Sequence, residues 1–320
     1  MENRRKRNPF LIIALIVLLI ILAFFIYNLY EIIPGEPVPF EMTNNQQMDT
    51  GNLSYEVEQF YPNMKFNHNT ITYKIDSQCS ENKIERMNAA FSELASKVGL
   101  IEFQPSNNDA DIDITCSGEV GEITGKNSFV AGEGGAKEII QTGRYNVIVK
   151  GEVLLYSNPK GAVICDWPNV ELHELLHVFG FTHSSNTKSL MSPYLTSCEK
   201  QKLDDSIIND LRELYSQENL PDIYFEDVRA TKRGIYLDFN ITVKNSGVID
   251  SNNVILNLLD NGAKITSFEL GDIPFGAGVE FQVSNLRLRS KSSNEITMVL
   301  DSSSPKEIDK ENNIAKLEFS

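Results

Sequence analysis

His173-Glu174-Leu175-Leu176-His177-Val178-Phe179-Gly180-Phe181-Thr182-His183 decides the fold of this chain: three of its four histidines fall inside these eleven residues. On a helix, residues four apart share a face, so His173 and His177 point at one metal ion. Glu174, one step further round, is turned off the metal yet stays close to a water bound there. Catalytic zinc takes three protein ligands and leaves a fourth position to water or substrate. It also brings the pKa of that water down to about 7 and polarises a carbonyl. Gly180 accepts positive φ and ends the helix sharply, which returns His183 to the metal as the third ligand. Pro168, in Asp166-Trp167-Pro168-Asn169, suits the first helical turn. Leu172, Leu175, Leu176 and Phe179 give the helix apolar faces. Met191 follows His183 by eight residues, in Ser189-Leu190-Met191-Ser192-Pro193-Tyr194. The plainer reading is a buried helix whose histidines only fill hydrogen bonds. The joint register of Gly180, His183 and Met191 weighs against it.

The pattern His-Glu-x-x-His-x-x-Gly-x-x-His with a following Met turn resembles that of the metzincin metalloproteases. His183-Ser184, Leu190-Met191 and Pro193 resemble the matrixin branch in particular. The resemblance implies that His173, His177 and His183 bind one zinc ion and that Glu174 is the general base. Met191 would form the floor beneath the metal without ligating it, and Tyr194 takes no catalytic part. It implies an endopeptidase acting on protein or peptide. The rival is a cell-surface adhesion or binding protein that keeps an inactive protease fold as a scaffold. An intact Glu174 argues against that rival, because binding alone gives no reason to keep the base.

The 320 residues are enough for two domains beyond any anchor, and the net charge of −15 makes a nucleic-acid partner unfavourable. Arg4-Arg5-Lys6-Arg7 precedes Phe10 to Tyr27, an uncharged apolar run whose length suits a membrane-spanning helix. The basic flank keeps residues 1–9 as a cytoplasmic tail and sends the rest outside. The run is longer than the core of a signal peptide, and no small-x-small cleavage site follows it. Residues 10–30 are therefore expected to anchor the chain in the cell membrane by a single pass. Residues 31–63, with Pro34, Pro37, Pro39 and Thr43-Asn44-Asn45-Gln46-Gln47, have linker composition. The four cysteines suit two disulfides in an exported domain, and three pairings exist. Cys79–Cys116 and Cys165–Cys198 are favoured, the first closing two strand ends and the second bracing the zinc helix against the Met turn.

Residues 64–219 form the expected α+β catalytic domain. Thr70 to Ile75 alternates as a strand. Ser80 to Val98 is an amphipathic helix stopped by Gly99. Ile101-Glu102-Phe103 and Ala110 to Ile114 are strand segments, and Asp204 to Tyr215 is a second amphipathic helix. Gly118 to Gly143 reads as a glycine-rich surface loop near the cleft. Tyr145 to Val149 and Glu152 to Tyr156 read as two strands. In metzincins an open edge strand above the zinc aligns the substrate by main-chain pairing, and either of these two fits that part. Asp109, Asp111 and Asp113 are either the solvent face of a strand or a structural calcium site, as in matrixins. Beyond Asn219, residues 220–320 carry about seven short strand-like runs, which suggests an all-β immunoglobulin-like sandwich. Val243-Lys244-Asn245-Ser246-Gly247, Gly276-Ala277-Gly278, Val299-Leu300-Asp301 and Glu311-Asn312-Asn313 resemble the cell-adhesion-related CARDB domain. That resemblance leaves open whether the domain binds a cell-surface ligand or acts as a spacer.

Overall fold

The structure, a computed structural model, describes residues 9–32, 37–41, 58–123, 128–160, 162, 165–196, 198, 201–304 and 306–319. Residues 1–8 of the basic tail expected over 1–9, and most of the 31–63 linker, lie outside them. The first element, α1 (Pro9–Ile32), has an exposed window from Ile13 to Tyr30 of mean hydropathy 2.7, long and apolar enough to cross a membrane. After it comes β1 (Val38–Glu41), so part of the expected linker is a strand.

The middle region contains β2 (Met64–Lys65), β3 (Thr70–Ile75), α2 (Glu81–Val98), β4 (Glu102–Pro105) and β5 (Ile112–Val120). It continues with β6 (Gly132–Gln141), β7 (Asn146–Ser157), α3 (Asn169–Val178) and α4 (Asp205–Ser216). Strand order is β2-β7-β5-β3-β4, all parallel, and β6 runs antiparallel along β7. The expected ends hold closely: Ser80 precedes α2 without a side-chain capping bond, Gly99 stops it, and Asp204 precedes α4, also without one. Two expectations are corrected. Residues 146–149 and 152–156 belong to one continuous strand, β7, because Lys150-Gly151 carries straight on. Half of the expected glycine-rich loop is strand: β5 extends to Val120, and β6 occupies Gly132 to Gln141. Glycine lowers strand propensity, which hid β6 from any pattern of alternation.

The core between sheet and helices centres on Phe179, which meets Phe66, Phe103 and Tyr215 edge-on at centroid distances of 5.7, 6.3 and 6.2 Å. Such edge-to-face pairs add to area burial. Arg86 of α2 clamps α3, donating from Nε and Nη2 to both Glu171 oxygens at 2.9 and 3.0 Å. It also donates to the carbonyls of Cys165 and Trp167. The disulfides Cys79–Cys116 and Cys165–Cys198 are the pair the sequence favoured. Of the three alternating aspartates, Asp111 accepts from the Thr72 amide and hydroxyl, and Lys150 bridges Asp109 and Asp113.

Lys65 is buried, donating to the Leu214 carbonyl and Asn219 Oδ1 at 2.9 Å each. Burial lowers its pKa from 10.5 to about 8. Above pH 8 the folded chain releases this proton while the unfolded chain keeps it up to about pH 10.5. Stability of the wild type relative to Lys65→Met therefore rises by up to about 3 kcal/mol across that window. Denaturant titrations of both proteins at pH 8 and pH 10.5 check this, and a flat difference would refute it.

The C-terminal region is β8 (Ile223–Arg233), β9 (Tyr236–Asn245), β10 (Ser251–Asp260), β11 (Ala263–Ile273), β12 (Gly278–Arg287), β13 (Glu295–Asp301) and β14 (Ile314–Glu318). They form two four-stranded sheets, β1-β8-β9-β12 and β11-β10-β13-β14, over one apolar core. Strand β1 supplies the outer edge of the first, with Val38 opposite Lys232 and Glu41 opposite Arg229. Asn245 satisfies its whole amide: Oδ1 accepts from the Asp222 and Gly247 amides, and Nδ2 donates to the carbonyls of Ile249 and Ile273.

Candidate metal centre

Helix α3 presents His173 and His177 from one face, four residues apart. Past it, Gly180 takes φ +87° and its neighbours fold the chain back. A Cβ at Gly180 would also sit 2.3 Å from the Met64 sulfur, so the position has neither the torsion nor the room for a side chain. The turn is held from outside. The Phe60 amide donates to the Gly180 carbonyl, the Thr182 amide to the Glu58 carbonyl, and Gln59 Nε2 to the Phe179 carbonyl. His183 is thereby delivered to the other two histidines.

The three Nε2 atoms lie 3.1, 3.2 and 3.2 Å apart. His173 Nδ1 is 2.7 Å from the Leu190 carbonyl, and His177 Nδ1 is 2.7 Å from the Phe181 carbonyl. A carbonyl only accepts, so each Nδ1 carries the proton and each Nε2 faces inward as a lone pair. Converging lone pairs at this distance repel unless a cation lies among them. Tetrahedral zinc with bonds of about 2.0–2.1 Å spaces its nitrogens roughly 3.3 Å apart, close to what is seen. The residues therefore fit a zinc ion. Among the described residues this is the one cluster of three or more His, Cys, Asp or Glu side chains able to converge on a metal.

The electrostatics agree. Burial lowers the His173 pKa to about 4 and depresses His177 and His183 as well, which keeps the rings neutral and ready to ligate. Glu174 is buried, and burial first, then the carboxylates of Glu133 and Glu171, push its pKa up to about 8; the Gly134 amide opposes this by hydrogen bonding to it. A dication nearby would favour the charged form and draw that proton off. Met191 is fully buried. Its amide donates to Ser189 Oγ, its carbonyl accepts from the Ser184 amide, and Ser189 Oγ donates to Asp204 at the start of α4. The Met-turn segment thus orients His173 through Leu190 and steadies the segment bearing His183.

Sequence reasoning missed three parts of this site. The carbonyls of Leu190 and Phe181 leave no residue signature. The segment Glu58 to Tyr61 was read as linker. The third part is β6, which replaces both strands of the 145–156 region as the free sheet edge, since among the described residues it pairs with β7 alone. Its glycines admit α3: a Cβ at Gly132 would meet the Glu174 side chain at 2.7 Å, and one at Gly134 the Glu174 carbonyl at 2.1 Å. The second contact is backbone on backbone and cannot relax by rotamer change. Gly134→Ala is expected to destabilise by about 1–3 kcal/mol and to lower turnover by displacing β6. An unchanged thermal midpoint would refute the close approach.

Residues 65–216 match the family model of Matrixin (Peptidase_M10). The match supports a metzincin-like catalytic domain over that span and suggests a metalloendopeptidase; the matched family implies zinc binding and a protein or peptide substrate. No curated protein matches the chain.

Proposed function

We propose that the chain is a membrane-anchored, extracytoplasmic zinc endopeptidase, a reading that proceeds from the matrixin match over residues 65–216. The observation that carries it is the convergence of three histidine Nε2 atoms beside a buried glutamate. His173, His177 and His183 hold the ion, with the carbonyls of Leu190 and Phe181 fixing two of their tautomers. Bound zinc would polarise a carbonyl and make water acidic enough to ionise near neutral pH. Glu174 takes a proton from the attacking water as the C–O bond forms. It then hands that proton to the amine nitrogen as the C–N bond breaks. The free edge of β6 offers amides and carbonyls to an extended peptide, aligning it over the histidines. Helix α1 supports the anchored placement by its length, apolarity and exposure. The immunoglobulin-like and CARDB-like character of residues 220–320 is supported by their seven strands in two sheets, one of them completed by β1, and by the Asn245 turn.

The test is hydrolysis of an unstructured protein such as casein by the purified full chain. Activity should vanish with a chelator and return with zinc, alongside one zinc per chain by metal analysis. Chelator-insensitive cleavage, or none with zinc bound, would overturn the reading.

A further inference from the structure

The C-terminal sandwich has two ends with different neighbours. At one end Thr142 Oγ1 donates to the Ser246 carbonyl at 2.8 Å, and Arg144 Nη2 is 3.9 Å from Asp222 Oδ2. Gly276 there packs against Ile140. That end grips the turn between β6 and β7. At the other end Lys291 Nζ donates to the Tyr30 carbonyl and lies over the Tyr30 ring, 3.7 Å from its centroid. Strand β1, which pairs with the last residues of β8, begins only six residues after α1 ends. The strands of 10 and 11 residues that join the two ends span about 35 Å.

Charge divides the same way. In a chain of net charge −15, the anchor-side segments 232–238, 260–264 and 287–295 hold Lys232, Arg233, Lys264, Arg287, Arg289 and Lys291. They carry three carboxylates, and exposed Glu318 of β14, opposite Glu295, adds a fourth at this end against the six cations. Asp238 pairs with Arg233, Asp260 is buried and accepts from the Arg289 amide and the Ser293 hydroxyl, and the third is Glu295. Lys264, Arg287 and Arg289 are exposed. At the opposite end, segments 245–251, 273–278 and 301–312 hold five carboxylates against two lysines. Six residues of chain reach at most about 20 Å, so the basic end cannot leave the neighbourhood of the point where α1 emerges.

We propose that this basic rim is a membrane-contact surface that binds anionic lipid headgroups, making the sandwich a pedestal with the catalytic domain at its far end. Lysine and arginine held at a lipid surface are attracted by anionic headgroups, and salt screens that attraction. The proposal rests on the anchored reading of α1, and its test separates the two.

The full chain is reconstituted into nanodiscs of phosphatidylcholine alone or with about a third phosphatidylglycerol, and amide hydrogen exchange is followed. Amides of residues 261–264 and 287–293 should exchange about tenfold more slowly in the anionic discs. The difference should disappear in about 0.5 M salt and in the combined Lys264→Glu, Arg287→Glu, Arg289→Glu variant. That variant should keep wild-type peptide hydrolysis, which reports that it folds. Equal exchange in the two discs would overturn the rim while leaving the anchor standing. So would equal protection in phosphatidylcholine discs by soluble polyglutamate, which would point to an acidic protein partner instead. Failure to enter either disc would remove the anchor and the rim with it. If the variant does not fold, the lipid and salt comparisons on the wild type still decide.

Discussion

Glu174→Gln is expected to keep its metal and lose peptide hydrolysis by about 100- to 10,000-fold. The substitution keeps the size of a side chain packed between α3 and the Gly132-Gly134 segment of β6, where spare volume is lacking. It removes only the ability to accept a proton. The three histidines are untouched, and the carbonyls that orient two of them belong to Leu190 and Phe181. Metal content measured after dialysis should equal that of wild type while single-turnover cleavage collapses. The amide also lacks the carboxyl that burial holds high, so the variant should be at least as stable as the metal-free wild type at neutral pH. Wild-type-like turnover would exclude Glu174 as the base.

His183→Ala is expected to lose the ion itself. His173 and His177 would remain on α3, but two nitrogens from one helix face leave half of a tetrahedral shell open. Removal of a partner that merely orients a metal ligand costs 10- to 100-fold in affinity, so loss of a ligand should exceed about 100-fold. His183 is exposed, and the turn bearing it is secured through Glu58, Gln59 and Phe60, so the change leaves the core packed. The fold should therefore survive with metal-dependent stabilisation gone: where wild type gains about 2.7 kcal/mol at zinc a hundred times its dissociation constant, the variant should gain little. Thermal midpoints with and without added zinc measure this. Full zinc occupancy of the variant would remove His183 from the ligand set.

The site's first tier was legible because it is written in side chains at fixed spacing. His173, His177, Gly180, His183 and Met191 each have one geometric task, and their order in the chain reveals it. The amphipathic helices α2 and α4 were legible for the same reason, since an apolar stripe and its end residues are local properties. What escaped notice was written in backbone. Strand β6 is defined by pairing with β7 and by the absence of side chains at Gly132 and Gly134, and absence carries no periodicity. Glu58 to Tyr61 act through main-chain bonds and one glutamine amide to residues about 120 positions away, a separation that composition cannot register. Strand β1 contains Pro39 within Val38-Pro39-Phe40-Glu41, and proline suits an edge strand while disguising it as linker.

The long reach of Gln59 also bears on where the ion enters. The cluster is complete only when Gln59 has met Phe179, β6 has settled against α3, and Ser189 has met Asp204. Those contacts join parts of the chain as far apart as Glu58 and Asp204, and the Cys165–Cys198 bridge encloses the whole histidine run. A chain threaded across a membrane in extended form has none of them. On the anchored reading, the histidine cluster is therefore assembled only after the chain has crossed the membrane, and a metal ion would be bound there.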